Sequence, residues 1–308
     1  MYTYEVDVTV VCVAHNDGAT LNDCLNVLCN QKTNFTYKVF AINNASTDNS
    51  QEIIESYYMK YPEIMVPMTL KEYEPSLGRI IMDKVEPMVV TNYLAFCNGS
   101  EFWCDKGKLQ VQYDYMGINA DVLVCAHNTL IRDVTGEVKS KTFTEWKNIK
   151  VLTEEEAYME DAPFLSSYLV RNSLVQDALS VADYEFYNYA FSVWGRANGK
   201  VAVLPATLSI YPVHGSDEKS DSEKIEFLQK KYKFLEDFDR LTHFSHKRII
   251  GMAKDKFEFE INLIKLENDE LSNGETSSIK KALKESGYLK TYMSSMSFGE
   301  KIKFKMKL

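Results

Sequence analysis

The feature that most constrains the fold is the alternation of short apolar runs and helical segments in the first 60 residues. The run 6–13 is apolar except near its start, and the run 37–42 is also mostly apolar. Short runs rich in β-branched residues are typical of parallel strands covered on both faces. The segments 20–31 and 50–60, which follow these runs, are predicted as helices. This order predicts a βαβα unit with parallel strands and a right-handed crossover.

The alternation continues along the chain and predicts an α/β fold. Up to about residue 125 it indicates an open, doubly wound sheet with polar loops at the carboxyl ends of the strands. Further strands are predicted at 64–76 (with its loop), 93–97, 120–126, 168–171, 201–204 and 209–214. Further helices are predicted at 77–90, 106–116, 183–198, 225–241 and 247–267, and a last short helix after a turn at 272–274. We therefore divide the chain into an α/β domain, 1–215, and a mostly helical C-terminal extension, 216–308.

The net charge and the cysteine spacing limit which partners the chain can bind and in which compartment it is expected. The formal net charge is -9, and a protein that binds duplex nucleic acid is usually basic, so no nucleic-acid partner is expected. The six cysteines have neither C-x-x-C nor zinc spacing, which favours buried free thiols in a reducing cytosol. A signal-peptide pattern and an apolar run long enough to span a membrane are both missing from the sequence. We expect a cytoplasmic protein.

The C-terminal segment 284–308 is basic, in contrast to the chain as a whole. It holds six Lys and two Glu, a net of +4, and apolar residues alternate with the lysines. Two interpretations stay open. The segment is a basic amphipathic element that contacts an anionic membrane surface at the inner face of the membrane, or it is a solvated or disordered tail.

Polar residues follow three of the predicted strands. They are His15-Asn16, Asn43-Asn44 and the run 98–101, Asn-Gly-Ser-Glu. Because the carboxyl ends of parallel strands meet at one crevice, these side chains are expected to address one extended ligand. The sequence contains no G-x-G-x-x-G and no P-loop motif. A nucleotide held without such a loop is usually bound through a divalent cation on carboxylates.

Several motifs recur in order between about residues 10 and 215. The first part runs from V-T-V-V-C-V-A-H-N at 8–16 to I-N-N-A-S-T-D-N-S at 42–50. It is followed by N-G-S-E-F-W at 98–103 and by the segments 166–172, 182–184, 199–204 and 210–214. In this order the motifs resemble family-2 glycosyltransferases of the GT-A fold, in particular a bacterial subgroup that builds surface polysaccharides.

The resemblance implies a fold, an activity and a general base. The fold would be the Rossmann-like GT-A nucleotide-sugar-binding domain. The activity would be transfer of a sugar from a nucleotide-sugar donor, UDP-linked, by inversion to a glycan, lipid-linked or protein acceptor. Asp183 matches the general base that deprotonates the acceptor hydroxyl, although the same residue also suits a helix N-cap.

The resemblance also implies a set of binding residues. Asn43 matches the position that contacts the base or ribose, and Arg79 is placed to approach the base or phosphate, with a surface arginine as the alternative. The predicted nucleotide-sugar site is His15, Asn16, Asn43, Asn44, Arg79, Asn98, Gly99 and Ser100.

The metal motif departs from the family pattern. Where the family has carboxylate-x-Asp, this chain has Asn98-Gly99-Ser100, and neither flanking residue is an anionic ligand. Three interpretations follow. Glu101, with His214, holds a weakened Mn²⁺ or Mg²⁺ site. The enzyme is metal-independent, with Arg or Lys neutralising the diphosphate. Or the chain is a catalytically impaired subunit that binds or scaffolds an active glycosyltransferase, as a homo-oligomer or with a different partner.

Overall fold

The computed structural model describes residues 3–133, 137–141, 147–181, 186–212, 220–267 and 272–308. Its first part is the predicted βαβα unit: β1 (Tyr4–Ala14), α1 (Leu21–Cys29), β2 (Tyr37–Asn44) and α2 (Ser50–Lys60). β1 and β2 pair in parallel, with Val8 opposite Tyr37 and Ala14 opposite Asn43. Residues 8–12 of β1 are all buried, as expected for a central strand.

The remaining strands extend β1 and β2 into one mixed sheet. They are β3 (Met65–Leu70), β4 (Val89–Asn98), β5 (Phe102–Trp103), β6 (Val122–Arg132), β7 (Val138–Lys141), β8 (Lys150–Val151), β9 (Leu169–Arg171) and β10 (Lys200–Pro212). The sheet order is β3-β2-β1-β4-β9-β6-β10-β5, with β7 paired to β6 and β8 to β10. The first four strands in this order are parallel, whereas β9 is antiparallel to both β4 and β6. The α/β class is confirmed, and the sheet contains an antiparallel insertion that the local pattern did not indicate.

The helices after α2 have the following bounds: α3 (Leu77–Ile80), α4 (Lys108–Ile118), α5 (Glu154–Met159), α6 (Asn172–Val181), α7 (Tyr187–Asn198), α8 (Asp221–Leu241), α9 (Lys247–Glu267), α10 (Asn273–Glu285), α11 (Leu289–Ser294) and α12 (Phe298–Lys307). α4, α8 and α9 fall where helices were predicted. α7 covers the described part of the helix predicted at 183–198.

Three predicted elements differ from the structure. The helix predicted at 77–90 is α3, a π-helical turn at Ile81–Val85 and a 3₁₀ turn at Glu86–Met88, because Pro87 cannot continue an α-helix and the β-branched pair at 89–90 begins β4. The strands predicted at 201–204 and 209–214 form one strand, β10, which passes Pro205 by a register shift. The turn predicted at 272–274 begins α10, since Ser272 and Glu275 form a capping box.

The chain divides into two compact units. The first comprises Met1–Thr153 and Asp161–Gly215, and the second comprises Glu154–Glu160 and Ser216–Leu308. The segment Glu154–Glu160, which the sequence-based division includes in the first part, therefore groups with the C-terminal helices. None of the described helices is both long enough and apolar enough to cross a membrane.

The core of the first unit contains thiols and one buried cation. Five of the six cysteines are buried and all six are free, in agreement with the sequence, while Cys104 is exposed. Lys108 of α4 is fully buried, and its Nζ donates to Gln112 Oε1 at 2.8 Å and lies 4.0 Å from the centre of the Trp103 ring. Burial lowers the pKa of Lys108 to about 7.

The second unit is held by its own apolar cluster and by the buried ammonium of Lys256. Phe259, Leu283 and Phe304 form a cluster contributed by α9, α10 and α12. Lys256 of α9 donates to the Met159 carbonyl at 2.7 Å and to Glu160 Oε1 at 2.9 Å. These bonds attach α5 to α9 within the unit.

Candidate functional site

The carboxyl ends of β1, β2 and β4 border a cavity of about 280 Å³ in the first unit. The three strands are parallel and adjacent, so the loops that follow them leave the sheet at the same edge. The loop after β3 and the start of α3 complete the wall. The lining residues are Val13, His15, Asp17, Asn44, Tyr73, Glu74, Pro75, Leu77, Ile80, Asn98, Ser100 and Leu165.

Four of the predicted binding residues line this cavity: His15, Asn44, Asn98 and Ser100. The others are not among its lining residues. Arg79 is exposed at the surface, where its guanidinium lies 3.8 Å from the Glu74 carboxylate. The proposed base, Asp183, and the candidate ligand His214 both lie outside the described residues.

Asn43 is buried, and its amide is hydrogen-bonded to the loop after β2 and to the first turn of α2. Its Nδ2 donates to Gln51 Oε1 at 2.8 Å, and its Oδ1 accepts the Ser46 N–H at 2.9 Å. Ala45, between them, has a left-handed φ of 53°, a conformation that costs a residue with a Cβ and needs such support. In this structure Asn43 orders the turn after β2.

Asn16 ties the loop after β1 to the loop after β2. It adopts a left-handed φ of 58°, which Asn tolerates better than most residues. Its N–H donates to Ser46 Oγ at 3.0 Å, and its Oδ1 accepts the Thr47 N–H at 2.8 Å. Two of the predicted binding asparagines, at positions 16 and 43, thus shape the loops that carry the cavity wall.

His15 and Tyr73 form an aromatic pair on the cavity wall. Their ring centroids are 4.5 Å apart with an angle of 49° between the planes. The imidazole is fixed by a 2.7 Å hydrogen bond between Nδ1 and the Asn44 carbonyl. Since the carbonyl can only accept, Nδ1 carries the proton in this arrangement, and Nε2 accepts a hydrogen bond of 3.3 Å from Asn16 Nδ2.

Asp17 is a carboxylate on the cavity wall that the sequence analysis did not single out. Its Oδ2 accepts the His15 N–H at 2.9 Å. The carboxylate also packs against Gly99, where a Cβ would lie 2.6 Å from Oδ2. Gly99 is therefore required by the close approach of Asp17. Tyr73 and Glu74, two residues in the loop after β3, were missed in the same way.

Glu101 points into the protein interior. It is 6% exposed, and its Oε1 accepts a hydrogen bond of 3.2 Å from Asn98 Nδ2. Its Oε2 has no hydrogen-bond partner in the part of the chain that the structure describes. Burial raises the pKa of Glu101, the Ser166 and Asn98 side chains act in the opposite direction, and the charge of Asp17 adds to the rise.

The donor set at 98–101 does not fit a divalent cation. Asn98 and Ser100 supply neutral oxygens to the cavity, and the buried Glu101 is not among its lining residues. Among the described residues, no group of three or more His, Cys, Asp or Glu side chains is arranged to hold a metal ion. Asp17 and Glu74 are the carboxylates on the cavity wall. The altered motif therefore lacks the anionic ligands that Mg²⁺ and Mn²⁺ prefer.

Comparison with known proteins supports the family predicted from the motifs. The family model described as Glycosyl transferase family 2 matches residues 9–68, which run from β1 to β3. Two curated relatives, uncharacterized protein Rv1520 of Mycobacterium tuberculosis and uncharacterized protein Mb1547 of Mycobacterium bovis, are each 24% identical over 208 residues. The matched region is 67% of this chain, and the chain spans 58% of the length of these relatives.

Two solved structures share the architecture of this chain. The 1–349 fragment of S. aureus TarS in complex with UDP has a TM-score of 0.54 at 14% identity, and the alignment covers 90% of this chain and 86% of that one. The mannosyltransferase PcManGT from Pyrobaculum calidifontis, in complex with GDP-Man and Mn²⁺, has a TM-score of 0.60 at 11% identity, covering 99% and 80%. The sequence match over residues 9–68 and the GT-A architecture around it confirm the predicted resemblance to family-2 glycosyltransferases.

Proposed function

We propose that this chain transfers a sugar from a UDP-linked donor, by inversion, to a glycan, lipid-linked or protein acceptor. The observation that carries the proposal is the cavity at the carboxyl ends of β1, β2 and β4, which is where ligands bind in open α/β sheets. TarS has been solved with UDP and with UDP-GlcNAc, and PcManGT with GDP-Man.

Each part of the cavity wall has chemistry suited to a nucleotide sugar. The paired rings of His15 and Tyr73, inclined to each other by 49°, offer aromatic faces for a base or a sugar. The side chains of Asn98 and Ser100 supply donors and acceptors for hydroxyl groups. In the reaction, Asp183 takes the proton of the acceptor hydroxyl. The acceptor oxygen then bonds to the anomeric carbon from the face opposite the diphosphate, which leaves with the electrons of the broken C–O bond.

The diphosphate needs a positive charge that the described wall does not supply. Asp17 and Glu74 are acidic, and the lining contains neither Lys nor Arg within the described residues. Bringing a donor diphosphate to this surface without a counter-charge would be unfavourable. The countercharge therefore comes either from a divalent cation brought with the donor or from basic side chains of this chain. Donor binding measured with Mn²⁺ and with EDTA separates these alternatives.

The test of the proposed function is donor hydrolysis and transfer with a panel of nucleotide sugars, with and without Mn²⁺. We expect turnover with a UDP-sugar, and a loss of at least about a hundredfold in Asp183→Asn, because general bases contribute at about that level. The matched control is Asp83→Asn, which removes an exposed carboxylate on the π-helical turn and should leave turnover unchanged.

A second candidate function is a catalytically impaired subunit that binds or scaffolds an active glycosyltransferase. The observation that favours it is the state of two residues of the metal motif region. Asn98 stands where the family has a carboxylate and is neutral, and the carboxylate of Glu101, which is hydrogen-bonded to Asn98, is buried. UDP binding by calorimetry, without turnover for any donor, would support this candidate and contradict the enzyme. Stimulation of a partner glycosyltransferase by the added chain would then identify its role.

A further inference from the structure

Helix α12 presents two exposed apolar side chains on the side opposite its buried residue. Phe304 is 7% exposed and belongs to the apolar cluster of the second unit. Ile302 and Met306, one helical turn apart and therefore on one face, are 45% and 74% exposed. Lys303 and Lys305 are exposed, and at 100° per residue they flank this pair on its two sides. Residues 298–307 thus form a helix rather than a disordered tail, and the alternative of a solvated tail stays open.

The lysines of α10 adjoin the end of α12. Lys280, Lys281 and Lys284 line a surface cavity of about 590 Å³, and Leu308, which follows α12, lines the same cavity. The lysine-bearing side of α10 and the C-terminal end of α12 therefore border the same surface cavity. We call the exposed and partly exposed residues of this region the lysine face, and they are Lys280, Lys281, Lys284, Ile302, Lys303, Lys305 and Met306.

Positive charge is concentrated in the C-terminal segment that contains α10 and α12. The segment 273–308 holds eight Lys and three Glu, a net of +5, while the whole chain carries -9, so the other residues carry -14. Lys303 and Lys305 form no ion pair with any other residue in the part of the chain described. The charges of Lys303 and Lys305 are therefore available to an external partner, whereas Lys281 of the same face lies 3.9 Å from the Glu285 carboxylate.

We infer that the lysine face binds the surface of an anionic lipid bilayer. Lysine stems lie along apolar surface while their ammonium groups reach lipid phosphates, and the exposed Ile302 and Met306 enter the boundary between headgroups and acyl chains. A nucleic acid would engage the lysines but would leave both apolar side chains in water. A bilayer accounts for the charge and for the exposed apolar pair together. This inference stands independently of the proposed sugar transfer.

The test is co-sedimentation of the full chain with phosphatidylcholine vesicles, with and without phosphatidylglycerol. We expect binding only when phosphatidylglycerol is present, and weaker binding at high salt, because surface charges are screened there. Equal sedimentation with both vesicle types, or none with either, would overturn the inference.

Two pairs of variants with matched controls identify the surface. Lys303→Gln with Lys305→Gln should lower the partition coefficient by about tenfold or more. Its control, Lys84→Gln with Lys147→Gln, makes the same change in net charge at exposed positions of the first unit and should bind as the wild type. If both double variants lose binding equally, net charge rather than the lysine face is responsible and the inference fails.

The apolar contribution is tested in the same way. Ile302→Ser with Met306→Ser should also lower partitioning by about tenfold. Met59 and Ile118 are 80% and 85% exposed in the first unit, so Met59→Ser with Ile118→Ser is the matched control. A thermal melt of each variant establishes that it is folded. Binding to RNA that competes with vesicles and is insensitive to the Ile302 and Met306 substitutions would identify a nucleic-acid surface and overturn the inference.

Discussion

The side-chain amide of Asn44 holds the backbone of Glu74 by two hydrogen bonds. Its Nδ2 donates to the Glu74 carbonyl at 2.8 Å, and its Oδ1 accepts the Glu74 N–H at 2.9 Å. The amide thus makes the same two hydrogen bonds to Glu74, beyond the end of β3, that a neighbouring strand would make. Through this pair the loop that carries Tyr73 is fixed against the end of β2, beside His15.

Replacing Asn44 by Ala should lower the free energy of unfolding by about 1–3 kcal/mol, because two partly buried backbone groups of Glu74 lose their partners. Binding of UDP should weaken as well, since the loop with Tyr73 and Glu74 is released from the cavity wall. Urea unfolding and calorimetric titration with UDP measure the two effects. The control Asn34→Ala, at an exposed position, should change stability by less than about 0.5 kcal/mol. Unchanged stability in Asn44→Ala would contradict this account.

Replacing Gly99 by Ala should displace Asp17. The added Cβ would lie 2.6 Å from Asp17 Oδ2 and 2.8 Å from its Cβ, which is closer than such atoms pack. We expect a destabilisation of about 1–3 kcal/mol and weaker UDP binding, because Asp17 lines the cavity and holds the His15 N–H. Gly117 in α4 has no atom within 4 Å of a Cβ. Gly117→Ala should therefore be neutral or stabilising, and equal losses in both variants would refute the steric explanation.

Replacing Glu101 by Gln should remove a pH dependence of stability. The folded-state pKa of Glu101 lies above its usual value of 4.5, so the wild type loses stability as pH rises from that value through the folded-state pKa. Gln keeps an oxygen for Asn98 Nδ2 and carries no charge to bury. The stability of Glu101→Gln relative to wild type should grow with pH across this window, by about 1.4 kcal/mol for each unit of the pKa rise.

Urea unfolding at a series of pH values checks this prediction. The control is Glu63→Gln, at an exposed position, which should run parallel to the wild type. A Glu101→Gln curve that also runs parallel to the wild type would mean that the carboxyl is not desolvated. UDP binding should be retained in Glu101→Gln, since this side chain does not line the cavity.

Replacing Lys108 by Met should remove a pH dependence of the free energy of unfolding that is opposite in sign to the one from Glu101. The folded protein releases the Lys108 proton near pH 7, whereas an unfolded chain keeps it to about 10.5. Wild-type stability should therefore rise between these values, by about 1.4 kcal/mol per pH unit from this group alone. The advantage of Lys108→Met should be greatest near pH 7 and shrink as pH rises. The exposed Lys106→Met is the control, and a difference that stays constant with pH would contradict the prediction.

The N-terminal half of the sheet could be predicted from the sequence because its signals are local. The apolar run of β1 and the helical spacing in α1 each lie within about ten residues. In the second half, β6, β9 and β10 lie where strands were predicted, but the order and direction of these strands in the sheet could not be predicted in the same way. β9 is three residues long and is placed between β4 and β6 by long-range pairing, and β10 continues through Pro205 because a register shift accommodates it.

For the candidate cavity, the sequence predicted only the part of the wall that is formed by the carboxyl ends of the parallel strands. His15, Asn44, Asn98 and Ser100 meet because β1, β2 and β4 are parallel and adjacent. Tyr73 and Glu74 could not be found, since their position depends on the bonds from Asn44. The direction of the Glu101 side chain depends on packing around Asn98, which no local pattern records.

The passage of the chain through both compact units limits how it can be divided for experiments. α5 belongs to the second unit, although in the sequence it lies between β8 and β9 of the first unit. Its Ala157 and Tyr158 are buried, and the centre of the Tyr158 ring lies 6.0 Å from that of Phe238. A shortened protein that stops at residue 215 would keep α5 and lose the helices that cover it, which invites aggregation. Isolating the first unit therefore calls for two changes, removal of 216–308 and exchange of 154–160 for a polar linker.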